Sequence, residues 1–278
     1  MLAQRGNLPA TSTESAMTHR EYFAAQTSNT VELDRLRALE AANDPKSCRH
    51  LSQLGVARGW RCIDIGAGAG SLVRWLAELV GPEGHVVAAD VDTRFLADID
   101  RSNVEVREYD VLKDDLEESG YDLVHCRFVL MHLDDPEVAI ERMIRATKPG
   151  GWILIEEPDF SSYRAVDAGH ALSEDFSWMV QGAFANAGRS NLFDPYFGLR
   201  TRALLEQFGL TDVGGEGTAY IWRGGEAEAE EHARSLSALV RAGVLPDHNA
   251  EEMHTALADP TFTFVGHTMF SAWGRVSH

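Results

Sequence analysis

The run Arg61-Cys-Ile-Asp-Ile65 leads directly into Gly66-Ala-Gly-Ala-Gly70, and apolar residues then return at helical spacing as Leu72, Val73, Leu76 and Leu79. A short apolar run, three alternate glycines and a helical period together define a buried strand, a tight loop and a helix. Glycine lets the backbone approach a ligand without a Cβ clash. The start of a helix adds unpaired N–H groups facing that ligand. Asp90 follows Gly70 by 20 residues, at the tip of the next apolar run His85–Asp90. Its carboxylate there is suited to accept both hydroxyl protons of a ribose. Such a unit commits the chain to an open α/β sheet that binds ligands at the carboxyl ends of its strands.

The rest of the chain agrees with that commitment. Val104–Tyr109, Tyr121–Cys126 and Trp152–Glu156 read as further strands. Phe95–Ile99 and Pro136–Thr147 read as helices, the second closed by Lys148-Pro-Gly-Gly151. Strands alternating with helices predict a parallel sheet covered on both faces, with right-handed crossovers. Upstream, residues 19–55 form N-terminal helices: one starts near Arg20 and is broken by Asn43-Asp44-Pro45, and a short second one ends at Gly55. Residues 56–158 form the binding core. Residues 159–208 form a helical lid and substrate segment, with helices over 170–187 and 200–208 and aromatics at Phe160, Tyr163, Phe176, Trp178, Phe184, Phe193, Tyr196 and Phe197. Residues 209–278 supply a strand at Asp212–Trp222, a helix at Glu226–Val240 and a last strand at Phe262–Val276, paired as an antiparallel hairpin on the sheet edge. Residues 1–18 read as a disordered leader, with Met17 an alternative start, and 19–278 as one domain.

The loop alone leaves its ligand open. G-x-G-x-G departs from the dinucleotide fingerprint G-x-G-x-x-G at Ser71, so a nicotinamide cofactor stays in play. Asp64, two residues before Gly66, weighs the other way. A carboxylate there repels a pyrophosphate but can receive an ammonium group.

Further motifs carry a family resemblance. Ile63-Asp-Ile-Gly-Ala-Gly-Ala-Gly70 resembles the first motif of class I methyltransferases that use S-adenosyl-L-methionine (SAM), and Ala88-Ala-Asp90-Val91-Asp92 resembles their second. Tyr109-Asp110-Val111 is similar to the adenine-contacting loop, Tyr121-Asp-Leu-Val-His-Cys126 to the fourth strand, and Arg145-Ala-Thr-Lys-Pro-Gly-Gly-Trp152 to the stretch entering the fifth. The match runs in order over residues 45–158. The resemblance implies an α/β, Rossmann-like fold: a seven-stranded, mostly parallel sheet with helices on both faces and an antiparallel C-terminal strand. It implies that Asp64, Gly66, Ala67, Gly68 and Gly70 hold the methionine part of SAM, that Asp90 binds the ribose and that Val91 packs on the adenine. Asp110 would accept from the adenine amino group, the Val111 N–H would reach a ring nitrogen, and Cys126 and Arg127 would line the methionine and transferring-methyl region. Asp110 also has the composition of a turn-forming residue.

Methyl transfer from a sulfonium mainly needs alignment, with a base only where the acceptor must lose a proton. His132, in Val129-Leu-Met-His-Leu133, is the base candidate, against the plainer reading of a histidine packing the next helix. His125, inside an apolar strand, reads as a satisfied core histidine. His170, His248, His254 and His267 are unpaired by spacing, and no metal site is expected.

Composition narrows the partners. The net charge is -18, with lysine only at 46, 113 and 148, which disfavours nucleic acid. Cys48, Cys62 and Cys126 form no CxxC pair, so neither zinc nor a disulfide framework is expected, in keeping with a reduced, cytoplasmic setting. No run of about 18 apolar residues suggests a membrane span. The expected function is methyl transfer to O, N or C of a small molecule, with S-adenosyl-L-homocysteine as product. The aromatic segment, Trp222 and the 262–270 strand favour a partly aromatic or polyketide-like acceptor, and the resemblance leans toward secondary metabolism. A SAM-assisted rearrangement or cyclisation, and a non-catalytic SAM-binding protein, are the alternatives. The sequence leaves the oligomeric state open, a homodimer included.

Overall fold

The computed structural model describes residues 29–241 and 247–277. The leader and the helix start near Arg20 lie outside the described residues, as do Tyr22, Phe23 and Gln26, which the sequence suggests could fold over the cofactor and help select the substrate.

The strands are β1 (Arg61–Ile65), β2 (His85–Asp90), β3 (Val104–Glu108), β4 (Tyr121–Arg127), β5 (Thr147–Asp159), β6 (Arg164–Ala165), β7 (Thr211–Thr218), β8 (Ile221–Arg223), β9 (Thr263–Val265) and β10 (Thr268–Arg275). The helices are α1 (Asn29–Gln53), α2 (Ser71–Val80), α3 (Pro136–Ala146), α4 (Ser173–Arg189), α5 (Thr201–Gln207), α6 (Ala227–Arg241) and α7 (Asp247–Ala258). The main sheet has seven strands in the order β3-β2-β1-β4-β5-β10-β7. Only β10 runs antiparallel within it, between β5 and β7. This is the expected α/β architecture. A second antiparallel sheet, β6-β9-β8, was not foreseen.

Strand alternation separates two apolar layers. Cys62, Val86, Ala88, Leu123 and Leu154 face α2 and the end of α1, where Leu51, Leu72, Val73, Leu76 and Val80 meet them. Ile63, Ile65, Val87, Val124, Cys126, Ile153 and Ile155 face the opposite layer with α3 and α4. Each fully buried side chain of this size contributes about 1.5–3 kcal/mol. α2 begins where Gly70, at φ 80°, turns the chain in a conformation that favours glycine. Leu96 and Ile99 close over it, since a Cβ on Gly70 would stand 2.9 Å and 2.7 Å from their methyls.

Four expectations need correction. Pro45 does not break the first helix: α1 runs through it to Gln53. The lost backbone hydrogen bond is offset by side chains on that turn. Asn43 donates to the Leu39 carbonyl (2.8 Å), and Arg127 grips Asp44 Oδ1 and Ser47 Oγ, each at 2.8 Å. Phe95–Ile99 is no α-helix. A 3-10 turn at Thr93–Phe95, capped by Asp92, instead drops Leu96 and Ile99 onto the glycine loop. The strands expected over 212–222 and 262–276 are each split between the two sheets. Thr218 pairs with Met269 in one sheet and Ile221 with Val265 in the other, so both chains turn one shared corner at 219–220 and 266–267. Finally, α7 was not expected. Among the described residues, no helix is long and apolar enough to cross a membrane.

Candidate active site

A cavity of about 1880 Å³ opens at the carboxyl ends of β1, β2 and β4, roofed by α1 and α6. The glycine loop forms one wall. Its N–H groups are largely engaged by the protein itself: Gly66 and Ala67 donate to the Ala89 carbonyl, Gly68 to Asp90 Oδ2 at 2.9 Å and Gly70 to the Ala67 carbonyl. The first N–H of α2, on Ser71, donates to Glu40 Oε1 at 3.1 Å. A carboxylate of α1 thus stands where a dinucleotide fold places its pyrophosphate. The N–H that a pyrophosphate would need there is already taken, which weighs against a dinucleotide.

Asp90 presents a carboxylate with one N–H on each oxygen, from Gly68 and from Asp92, both at 2.9 Å. Each oxygen keeps a lone pair for a ligand hydroxyl. Burial raises its pKa to about 6 against the pull of those two N–H groups. Val91 beside it is 59% exposed, an apolar surface offered to the cavity. Asp110 also lines the cavity and makes the turn its composition suggested, accepting from Leu112 N (3.0 Å) and pairing with Lys113 Nζ (2.8 Å). Val111 lies buried beside it.

Beneath the loop, a polar chain crosses one face of the sheet. Asp64 on β1 lies opposite His125 on β4, and Glu156 on β5 stands one pleat further on, opposite Arg127 on one side and Ser271 of β10 on the other. His125 donates Nδ1–H to Asp64 Oδ1 (2.6 Å) and Nε2–H to Glu156 Oε2 (3.2 Å). Burial alone would lower its pKa, but Asp64 and then Glu156 push it up to about 9. Glu156 also accepts from Ser271 Oγ (2.7 Å) and from Ser47 of α1. His125 is thus a satisfied core histidine, as expected, but a charged one. Arg127, next on this face, lines the cavity and ties α1 down through Asp44 and Ser47.

Cys126 is withdrawn from the cavity set. It has the opposite strand parity from His125 and Arg127, so its side chain is fully buried among Ile65, Ile155 and the α3 layer. Gly70 likewise shapes the start of α2 without lining the cavity, whereas Asp64, Gly66, Ala67, Gly68, Asp90, Val91, Asp110, Val111, Arg127 and His132 all reach it.

His132 closes a 3-10 turn at Leu130–His132 and lies edge-on to Phe193 at 5.7 Å. Glu157 holds this turn by accepting from the N–H of Val129 (2.9 Å), Leu130 (2.7 Å) and Met131 (3.4 Å). The aromatic segment divides. Phe160, Tyr163, Phe184 and Phe193 line the cavity, Phe176 and Phe197 are core, and Trp178, at 73% exposure, faces solvent. Sequence reading missed Glu40, Lys46, Glu156, Glu157, His232 and His267. For Glu156 the only signal was strand parity, two positions beyond the core residue Leu154.

Fold and site together define an α/β protein with a pocket at its strand ends in which Asp90 can take ribose hydroxyls and Glu40 occupies the first N–H of α2. The chain belongs to the methyltransferase-domain family, whose model matches residues 22–213. Methyltransferase str2 of Strobilurus tenacellus is 28% identical over 178 residues, 63% of this chain and 62% of that protein. The ubiquinone/menaquinone biosynthesis C-methyltransferase UbiE of Pseudomonas savastanoi pv. phaseolicola is 37% identical over 111 residues, 37% of this chain and 43% of that protein. Each match takes in less than two thirds of the relative's own length. The structure of Haemonchus contortus phosphoethanolamine N-methyltransferase 2 in complex with SAM shares the fold at a TM-score of 0.59 and 16% identity, over 95% of this chain and 60% of that one.

Proposed function

We propose that this chain is a SAM-dependent methyltransferase acting on a small-molecule acceptor and releasing S-adenosyl-L-homocysteine. One observation carries the reading: the phosphate position at the start of α2 is filled by Glu40, while Asp64 and Asp90 turn carboxylates toward the same cavity. SAM fits that set of acceptors, since it brings ribose hydroxyls and an ammonium as donors and a cationic sulfonium, with one carboxylate beside the ammonium and no phosphate. Asp90 would hold the ribose, Val91 the adenine face, Asp110 and Val111 its polar edge, and Asp64 with Gly66, Ala67 and Gly68 the methionine end. When bound, the cofactor supplies an electrophilic methyl group. The chain's own contribution is alignment and exclusion of water. Arg127 fixes α1 over the site, and Glu157 fixes the turn bearing His132. His132 is the proposed general base for an acceptor that must lose a proton. The family membership and the named methyltransferase relatives support this reading.

Calorimetry tests it. SAM and S-adenosyl-L-homocysteine should bind the wild type, and Asp90→Ala and Gly68→Val should each weaken binding by about tenfold or more, equivalent to about 1.4 kcal/mol. Gly68 has φ +58°, where a β-branched side chain is strained. Unchanged affinity in both variants would overturn the assignment. Release of S-adenosyl-L-homocysteine on turnover separates methyl transfer from a rearrangement.

A further inference from the structure

The same cavity continues past the cofactor end into a chamber walled by Phe128, Phe160, Tyr163, Phe184, His232 and His267. Three of these residues come from separate elements. Tyr163 precedes β6, His232 sits on α6, and His267 stands in the corner between β9 and β10. Tyr163 and His232 meet edge-on at 5.2 Å, His232 and His267 at 5.9 Å, and His267 lies 5.3 Å from Phe160. The Tyr163 hydroxyl is buried and has no hydrogen-bond partner among the described residues. Gly266 makes room for this arrangement, because a Cβ there would stand 2.9 Å from His232 Cε1. The Tyr163 hydroxyl is sealed within the protein, so Tyr163 contributes to the chamber as a ring, and the polar groups open to a ligand are those of His232 and His267.

We propose that this chamber binds the methyl acceptor as a planar aromatic molecule bearing a hydroxyl, with that hydroxyl held by His232 and His267. This rests on the cavity's being a cofactor-and-acceptor site. The aromatic walls match a flat ring. Burial pulls His232 down to about 4, and burial with His232 and Lys46 nearby pulls His267 down to about 3. Both are therefore neutral at pH 7, and each offers one N–H donor and one nitrogen acceptor to a hydroxyl. An ammonium acceptor would be held best by a carboxylate beside the rings. Those lining the cavity stand mainly on the cofactor side, as Glu40, Asp64, Asp90 and Asp110, while Glu228 lies one turn from His232 on α6 and is half-exposed. Lys46 lines the same cavity, its amino group 4.9 Å from the Tyr220 ring centroid. A cation there repels an ammonium and favours an oxygen that becomes anionic.

The test uses the full chain and three probes, 1-naphthol, 1-methylnaphthalene and 1-naphthylmethylamine, titrated by calorimetry with and without S-adenosyl-L-homocysteine. 1-Naphthol should bind about tenfold or more tighter than 1-methylnaphthalene. His267→Phe and His232→Phe, which remove the ring nitrogens, should each erase that preference while leaving S-adenosyl-L-homocysteine affinity within about twofold. If one variant fails to fold, the other and the wild-type comparison still decide. No measurable 1-naphthol binding, no preference over 1-methylnaphthalene, or tighter binding of the amine would each overturn the proposal. Histidine-dependent 1-naphthol binding without SAM affinity would instead overturn the cofactor reading alone.

Discussion

The charged row under the glycine loop makes a quantitative prediction about pH. His125 is clamped between Asp64 and Glu156 at 2.6 Å and 3.2 Å, and its pKa stands at about 9 against an ordinary 6.5. At about 1.4 kcal/mol per pH unit, that displacement is worth about 3 kcal/mol. The pKa is raised on folding, so this stabilisation is fully present below pH 6.5 and is lost as pH rises through about 9. Because burial pulls the other way, the two carboxylates together raise the pKa by more than the net shift, and Glu156, the more distant partner, carries the smaller share, on the order of 1–2 kcal/mol. Glu156→Gln keeps the shape and removes the charge. Urea unfolding of wild type and Glu156→Gln from pH 6 to pH 10 should show a wild-type advantage below pH 6.5 that narrows by that amount through pH 9. A proton NMR titration should find the His125 ring still protonated at pH 8 in the wild type, and titrating lower in the variant. Parallel stability curves, with His125 titrating at or below 6.5, would refute the charged clamp.

Two further outcomes concern the turn beside it. Glu157→Ala leaves the Val129 and Leu130 N–H groups buried without their acceptor, and should cost about 3 kcal/mol in urea unfolding; an unchanged midpoint would show that the turn stands by itself. His132→Ala, assayed with an identified hydroxylated acceptor, should lower kcat about a hundredfold or more with SAM affinity retained, and a wild-type kcat would end its assignment as base.

The parts of the fold written in the sequence are those set by local pattern. The glycine loop, the spacing to Asp90 and the alternation of strands with amphipathic helices fixed the sheet and one end of the cavity, because each is a short-range signal. Cys126 and His125 show where such reading stops. The strand was recognised, but which of two adjacent residues faces the cavity depends on what covers each face. Pro45 shows the same limit, since local propensity stops the helix there and Arg127, 82 positions later, holds it together. Lys46, His232 and His267 come from three distant segments, and no local pattern announces that they meet. The corner that splits two expected strands lies beyond reach for the same reason.

Glu156 and Glu157 condense the logic of the site. They are consecutive on β5 and equally buried, at 1% and 0% exposure, yet their carboxyls titrate in opposite directions. Burial pushes both up. On the α1 face, the hydrogen bond and charge of His125 override burial and hold Glu156 at about 2. On the other face, Glu157 has three neutral backbone N–H partners, which soften burial without overcoming it, and it rises to about 7. Strand alternation thus gives one β-strand end two different carboxylates. The first stays ionised at all working pH and anchors the row beneath the cofactor loop through His125 and Asp64. The second titrates near neutrality and sets the turn that presents His132. Raising pH from 4.5 to 7 removes stability through Glu157, because its folded carboxyl resists ionisation, while the stabilisation from the His125 clamp is lost between about 6.5 and 9. The unfolding stability should therefore fall in two successive pH windows, the first set by Glu157 and the second by His125, a separation that follows from which face of one strand each glutamate occupies.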